Sequence, residues 1–218
     1  MLTAEEAILG LHIAAGFLAL AAGAGALLTE KGGAHHRRAG RTYVSAMAVV
    51  VLTVLPLYLL DPSSFRLFLV LVAVFSGYFV FSGYRALARK HAGAAARLDH
   101  TAATLTVLAC LALGGWGVAR LAGGDAFGAV LAVFGGLGLS VAGADLRAAF
   151  GDGQENWLVD HLSRMLGGYI ATVSAVSAVN LTMLPPVARW LWPTAVGVPL
   201  ILYWQAVYGD TGPLAGRV

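Results

Sequence analysis

The sequence predicts an all-α protein: a seven-transmembrane-helix bundle with its N-terminus outside and its C-terminus cytoplasmic, forming one transmembrane domain over residues 1–218. Three observations predict it. Hydrophobic residues make up 59% of the chain and charged residues 11%, with a mean hydropathy of +0.78, whereas soluble domains carry about 25% charge. Seven apolar runs, at 6–28, 42–60, 65–88, 99–122, 126–147, 159–183 and 188–208, are each long enough to cross about 30 Å of hydrocarbon at about 1.5 Å per residue. Cations also alternate between sides. With the Lys31–Arg41 block cytoplasmic, the outer loops hold only Arg66, Arg120 and Arg189 of the 14 basic residues, which is the charge asymmetry that orients membrane proteins.

The first run follows Glu5 and Glu6, with no basic stretch before it and no small-residue cleavage site. It reads as a spanning helix rather than a cleaved signal peptide. His12 lies about two turns inside its outer end, with Gly16 and Gly23 continuing the same face. An ionisable residue within a span is a functional candidate by default. The structural alternative is a neutral imidazole bonded to a neighbouring helix.

The block between the first two runs carries Lys31, His35, His36, Arg37, Arg38 and Arg41. A net charge of +3 and a pI near 9.2 do not imply nucleic acid here, because the cations flank apolar segments. They suit anionic lipid headgroups at the cytoplasmic face, in a multi-pass protein of the plasma membrane. His35, His36 and His91 lack HExxH, HxxxH or Cys/His spacing, so His36 is a metal-ligand candidate without a zinc motif, and solvation is its structural alternative.

The third run repeats four letters six residues apart, Phe75-Ser76-Gly77-Tyr78 and Phe81-Ser82-Gly83-Tyr84. At about 100° per residue the copies fall on different faces, predicting aromatic packing and an interfacial aromatic belt. Outer loops are very short; the longer inner ones, 86–98 and 148–158, place any polar chemistry on the cytoplasmic side.

The fourth and sixth runs open alike, with Asp99-His100 and Asp160-His161. The aspartates suit helix N-termini, where they accept from free backbone N–H groups. If these two helices are neighbours, His100 and His161 sit at one depth and can both ligate a transition metal or haem iron. His161 continues into Met165, Gly168, Thr172 and Ala175, a small-residue stripe that admits either a flat macrocycle or a closely packed helix. Arg85, Arg89, Arg97 and Arg164 share that level and can pair haem propionates, or serve only orientation and lipid contact. Farther along, Ser174, Ser177 and Asn180 either line a polar path or bond between helices for about 0.6 kcal/mol each.

Other chemistry is excluded. The only lysines are Lys31 and Lys90, both in predicted loops, so no mid-helix lysine can hold retinal as a Schiff base. The glycines of 23–25 and 135–138 follow no strand and lack the full dinucleotide spacing. Glycine, at 28 residues, instead serves close helix contact, with Gly114, Gly115, Gly117, Gly136 and Gly143 as candidates. The single Cys110 allows no disulfide framework. No charge falls at the centre of a span, which counts against a carboxylate-driven pump.

Three segments carry a family resemblance. Leu11-His12-Ile13-Ala14-Ala15-Gly16, Gly23, Lys31-Gly32 and His36-Arg37-Arg38-Ala39-Gly40-Arg41 with Tyr43, then His161-Leu162-Ser163-Arg164-Met165-Leu166-Gly167-Gly168-Tyr169-Ile170-Ala171, together with the Phe75–Arg85 segment, resemble a family of prokaryotic integral membrane proteins of unknown function. The resemblance supplies no activity. It implies that His12, His36, Arg37, His161, Arg164 and Met165 are the first positions to test for function.

The leading expectation is a redox protein holding haem b or a transition metal near the cytoplasmic face. His100 and His161 would be ligands, Met165, Arg164 and Arg97 would line the site, His12 would be a second-site metal ligand or a quinone contact, and electrons would pass to a quinone or a membrane protein partner. The alternatives are a small-molecule or ion permease lined by His12, Ser174, Ser177 and Asn180, and an accessory subunit of a membrane complex. No nucleophile or zinc motif supports an intramembrane hydrolase.

Overall fold

A computed structural model describes residues 2–92, 97–148 and 156–208. The side chains of Arg89, Lys90 and His91, the loop 149–155 and Arg217 lie outside the described residues. Seven helices follow one another: α1 (Ala4–Leu28), α2 (Ala34–Leu60), α3 (Ser64–Ala92), α4 (Arg97–Ala122), α5 (Gly128–Ala148), α6 (Trp157–Asn180) and α7 (Pro186–Tyr208). Among the described residues no strand occurs. Helices α1 to α6 are each long and apolar enough to cross a membrane, as expected of a multi-pass membrane protein in contact with a lipid bilayer. The seventh helix contains Pro193 and Pro199.

Two compact units divide the chain, Met1–Gly77 and Tyr78–Val218, with α3 contributing to both. In the first, α1 packs along α2 through a stripe of small buried residues, Ala15, Ala19 and Gly23, which lets the backbones approach. Thr3 starts α1 with a reciprocal capping box: its hydroxyl accepts from the Glu6 N–H at 3.2 Å, and the Glu6 carboxylate accepts from the Thr3 N–H at 2.8 Å. Such boxes satisfy two otherwise unpaired donors. Arg66 at the start of α3 joins Glu5 at 2.6 Å and Asp61 at 3.1 Å.

The start of α2 differs from expectation. Hydropathy places it at residue 42, whereas the helix begins at Ala34. The stretch 34–41 is therefore about two turns of helix rather than loop, because arginine and histidine end an apolar run without disfavouring helix. Only Thr29–Gly33 connects the two helices, turning at Gly32 with φ of +75°, a conformation glycine tolerates.

In the second unit α4 packs along α5, α6 along α7, and α5 also meets α7. The α4–α5 crossing is a backbone contact. A Cβ on Gly135 would sit 2.6 Å from Gly114 N and 2.9 Å from the Cys110 carbonyl, and one on Gly128 would sit 2.5 Å from the Gly117 carbonyl. Gly114 and Gly117 thus do what the glycine content implied. Gly115, Gly136 and Gly143 have nothing near their missing side chains and lie off the contact. At the turn before α5, the Asp125 carboxylate accepts the Phe127 N–H at 2.9 Å and pairs with Arg120. That N–H, then the guanidinium, holds the Asp125 pKa below its ordinary value.

Candidate functional site

The clearest polar constellation lies in the second unit and draws on Tyr78 and Arg85 of α3, Asp99 of α4, Asp145 of α5 and Arg164 of α6. Arg164 on α6 is only 7% exposed. Its two terminal nitrogens donate to the two Asp145 carboxylate oxygens at 2.7 and 2.6 Å, and one lies 3.2 Å from Asp160, one turn earlier. Such bidentate pairing is the strongest geometry available to a guanidinium. The Tyr78 hydroxyl on α3 donates to the same Asp145. One carboxylate therefore ties three helices.

Beside it, Arg85 on α3 forms a second bidentate pair with Asp99 on α4, at 2.8 and 2.9 Å. The two aspartates expected as helix caps are thus engaged by arginines. The cap of α6 is Asn156, whose side chain accepts from Leu158 N and Val159 N at 3.2 Å each.

Between the two ion pairs, the His161 ring donates through Nδ1 to the Gly83 carbonyl at 2.8 Å. A carbonyl only accepts, so Nδ1 carries the hydrogen, and in the neutral ring Nε2 holds the lone pair. Gly83 is where α3 and α6 touch: a Cβ there would be 3.1 Å from Arg164 Cβ, Met165 Cγ and Met165 N. The repeated tetrapeptide resolves into two roles. Tyr78 is buried at the cluster, and Tyr84 is 47% exposed.

The remaining candidates are dispersed. His100 is half-buried, with Nε2 buried and without a hydrogen-bond partner among the described residues. Its helix packs along α5, whereas that of His161 packs along α7. Arg97 is exposed at the first turn of α4. Ser174 is buried, its Oγ unpaired among the described residues. Asn180 is exposed and donates to the Val176 carbonyl at 2.8 Å, while Ser177 accepts from Trp192 Nε1 at 2.7 Å.

In the first unit, His12 Nδ1 lies 2.8 Å from Thr53 Oγ1. The Thr53 hydroxyl points at the Val49 and Val50 carbonyls, at 2.8 and 2.9 Å, so its oxygen accepts from the imidazole. His36 donates to the Ala26 carbonyl at 2.9 Å and Arg37 to the Gly32 carbonyl. Lys31 donates to the carbonyls of Ala26 and Leu27 at 3.2 and 2.5 Å, and burial pushes its pKa down. These groups close the last turn of α1, whose carbonyls have no intrahelical partners.

Asp145 and Tyr78 are the residues that reading the sequence missed. The available signal was Asp145 itself, the only acidic residue in α5, since an ionisable group within an apolar helix marks a site until explained otherwise. No group of three or more His, Cys, Asp or Glu suited to a metal occurs among the described residues. No protein-family model, no curated protein and no solved structure matches the chain.

Proposed function

We propose that the chain is a seven-span protein of the plasma membrane, N-terminus outside and C-terminus cytoplasmic, that moves a small solute or ion across the bilayer. The Tyr78–Asp145–Arg164–Asp160 cluster is its charge-handling element. The observation that carries this reading is the buried guanidinium of Arg164 held by a carboxylate from a second helix. Ionised side chains within apolar helices are expensive and mark ion or substrate paths and proton relays. Asp145 is the acceptor shared by Arg164 and Tyr78. Occupancy of one carboxylate then changes how three helices are joined, as a two-state element must. Asp145 lies three residues from the end of α5, so the charge sits at the end of a span and the span centres stay uncharged.

The test is flux in proteoliposomes with an imposed pH gradient, read by a trapped pH dye and by uptake of candidate solutes. Flux lost in Asp145→Asn and retained in Asp125→Asn is the expected result. Equal flux in correctly inserted Asp145→Asn sinks the assignment. Loss of flux in His12→Ala gives the first unit a transport role of its own.

A second reading keeps the redox protein with haem b or a transition metal. What favours it is that His36 and His161 each donate Nδ1–H to a carbonyl, the second contact that metal-bound histidines make, and that His100 Nε2 is buried without a partner among the described residues. Oxidised and dithionite-reduced spectra with metal analysis decide it. A Soret band lost in His100→Ala or His161→Ala supports it; a colourless, metal-free protein overturns it.

A further inference from the structure

The four permanent cations at the α1–α2 junction divide into two kinds. Lys31 and Arg37 are spent on backbone carbonyls of α1 and its loop. Arg38 and Arg41 are exposed, and neither side chain has a hydrogen-bond or ion-pair partner among the described residues. They are three residues apart on one helix, so their side chains share a face.

That face continues down the helix. At alternating steps of three and four residues, Arg38, Arg41, Ser45, Ala48, Leu52 and Leu55 are all exposed; Leu52 is 73% and Leu55 51% exposed. The 27 residues of α2 extend over about 40 Å, some 10 Å more than a hydrocarbon core. Every charged residue and histidine of α2 lies at or before Arg41, so the surplus length is its polar first turns. This places both guanidinium groups at headgroup level, with Ala48, Leu52 and Leu55 below them among acyl chains. Small side chains at Ser45 and Ala48 leave the backbone shallowly covered between the arginines and the leucines.

We propose that this face of α2 is a binding site for one anionic phospholipid. Its phosphate is held by Arg38 and Arg41, and an acyl chain lies along Ala48, Leu52 and Leu55. Guanidinium groups match phosphate oxygens bidentately, and two neighbouring cations with no carboxylate partner complement a headgroup of net negative charge. The site is independent of the Asp145 cluster, so either assignment can fail without the other.

The experiment is native mass spectrometry of the full chain released from nanodiscs containing equal phosphatidylglycerol and phosphatidylcholine. The expected result is preferential retention of one phosphatidylglycerol, with a preference that falls about five-fold for each arginine removed in Arg38→Gln and Arg41→Gln, as about 1 kcal/mol per cation near an anionic surface implies. Lys31→Gln and Arg37→Gln leave the preference unchanged. Three results overturn the proposal: equal retention of the two lipids by the unaltered protein, undiminished preference in the double variant, or equal loss in Arg37→Gln, which would signal diffuse charge. Because the unaltered protein alone can fail the first test, the proposal does not depend on the variants inserting correctly.

Discussion

Asp145 on α5 and Arg164 on α6 meet through both carboxylate oxygens and both terminal guanidinium nitrogens, at 2.6 and 2.7 Å, with the arginine side chain 9% and the aspartate 15% exposed. Removing one partner of such a pair costs about 3–5 kcal/mol where the remaining buried charge has no other ion partner. Arg164→Ala is expected to lose that much in SDS or thermal unfolding of reconstituted protein, and Asp145→Ala less, because Arg164 keeps Asp160 at 3.2 Å. Tyr78→Phe, which removes one hydrogen bond to a charged group, costs about 1.5–3 kcal/mol. A double-mutant cycle over 145 and 164 giving no coupling would disprove the pairing.

Crowding of the α4–α5 contact is a separate matter. Gly135→Ala forces a methyl group to within 3 Å of backbone atoms of α4 and is expected to cost about 1–3 kcal/mol or more, because no side chain can move aside. Gly136→Ala, one residue on and with nothing within 4 Å, crowds no neighbour and is expected not to destabilise the helix. Comparing the two unfolding midpoints checks both, and equal effects would contradict the crossing.

His12 and Thr53 join α1 to α2. Interhelical hydrogen bonds in membranes are modest, about 0.6 kcal/mol, so Thr53→Val is expected to weaken unfolding stability by that order. Loss of flux in His12→Ala without loss of folding would separate a transport role from this bond.

The turn before α5 has a pH signature. The Asp125 pKa is lowered from 3.8, first by the Phe127 N–H and then by Arg120. A carboxyl depressed on folding contributes stability that is fully present above its unfolded pKa and is lost as pH falls through the lower folded value. The protection of the Phe127 amide, its exchange measured relative to the intrinsic rate at each pH, is therefore expected to fall below pH 3.8. Asp125→Asn, which keeps an acceptor oxygen and has no charge to lose, should flatten that dependence.

What the sequence determined by itself was the set of helices and, for α1 to α6, a length and apolarity sufficient to cross a membrane. Hydropathy is a local property, and an apolar run long enough to span forms a helix because its backbone has no other partner in lipid. Helix ends were less legible, as at Ala34, because polarity begins where the hydrocarbon ends and not where the helix does. Tertiary structure alone decided what the polar residues do. Asp145 finds Arg164 19 residues away, Asp99 finds Arg85 14 residues away, and His161 finds Gly83 78 residues away, pairings that no local pattern encodes. The cause is the bilayer, which makes an unpartnered charge costly while leaving the choice of partner to helix packing.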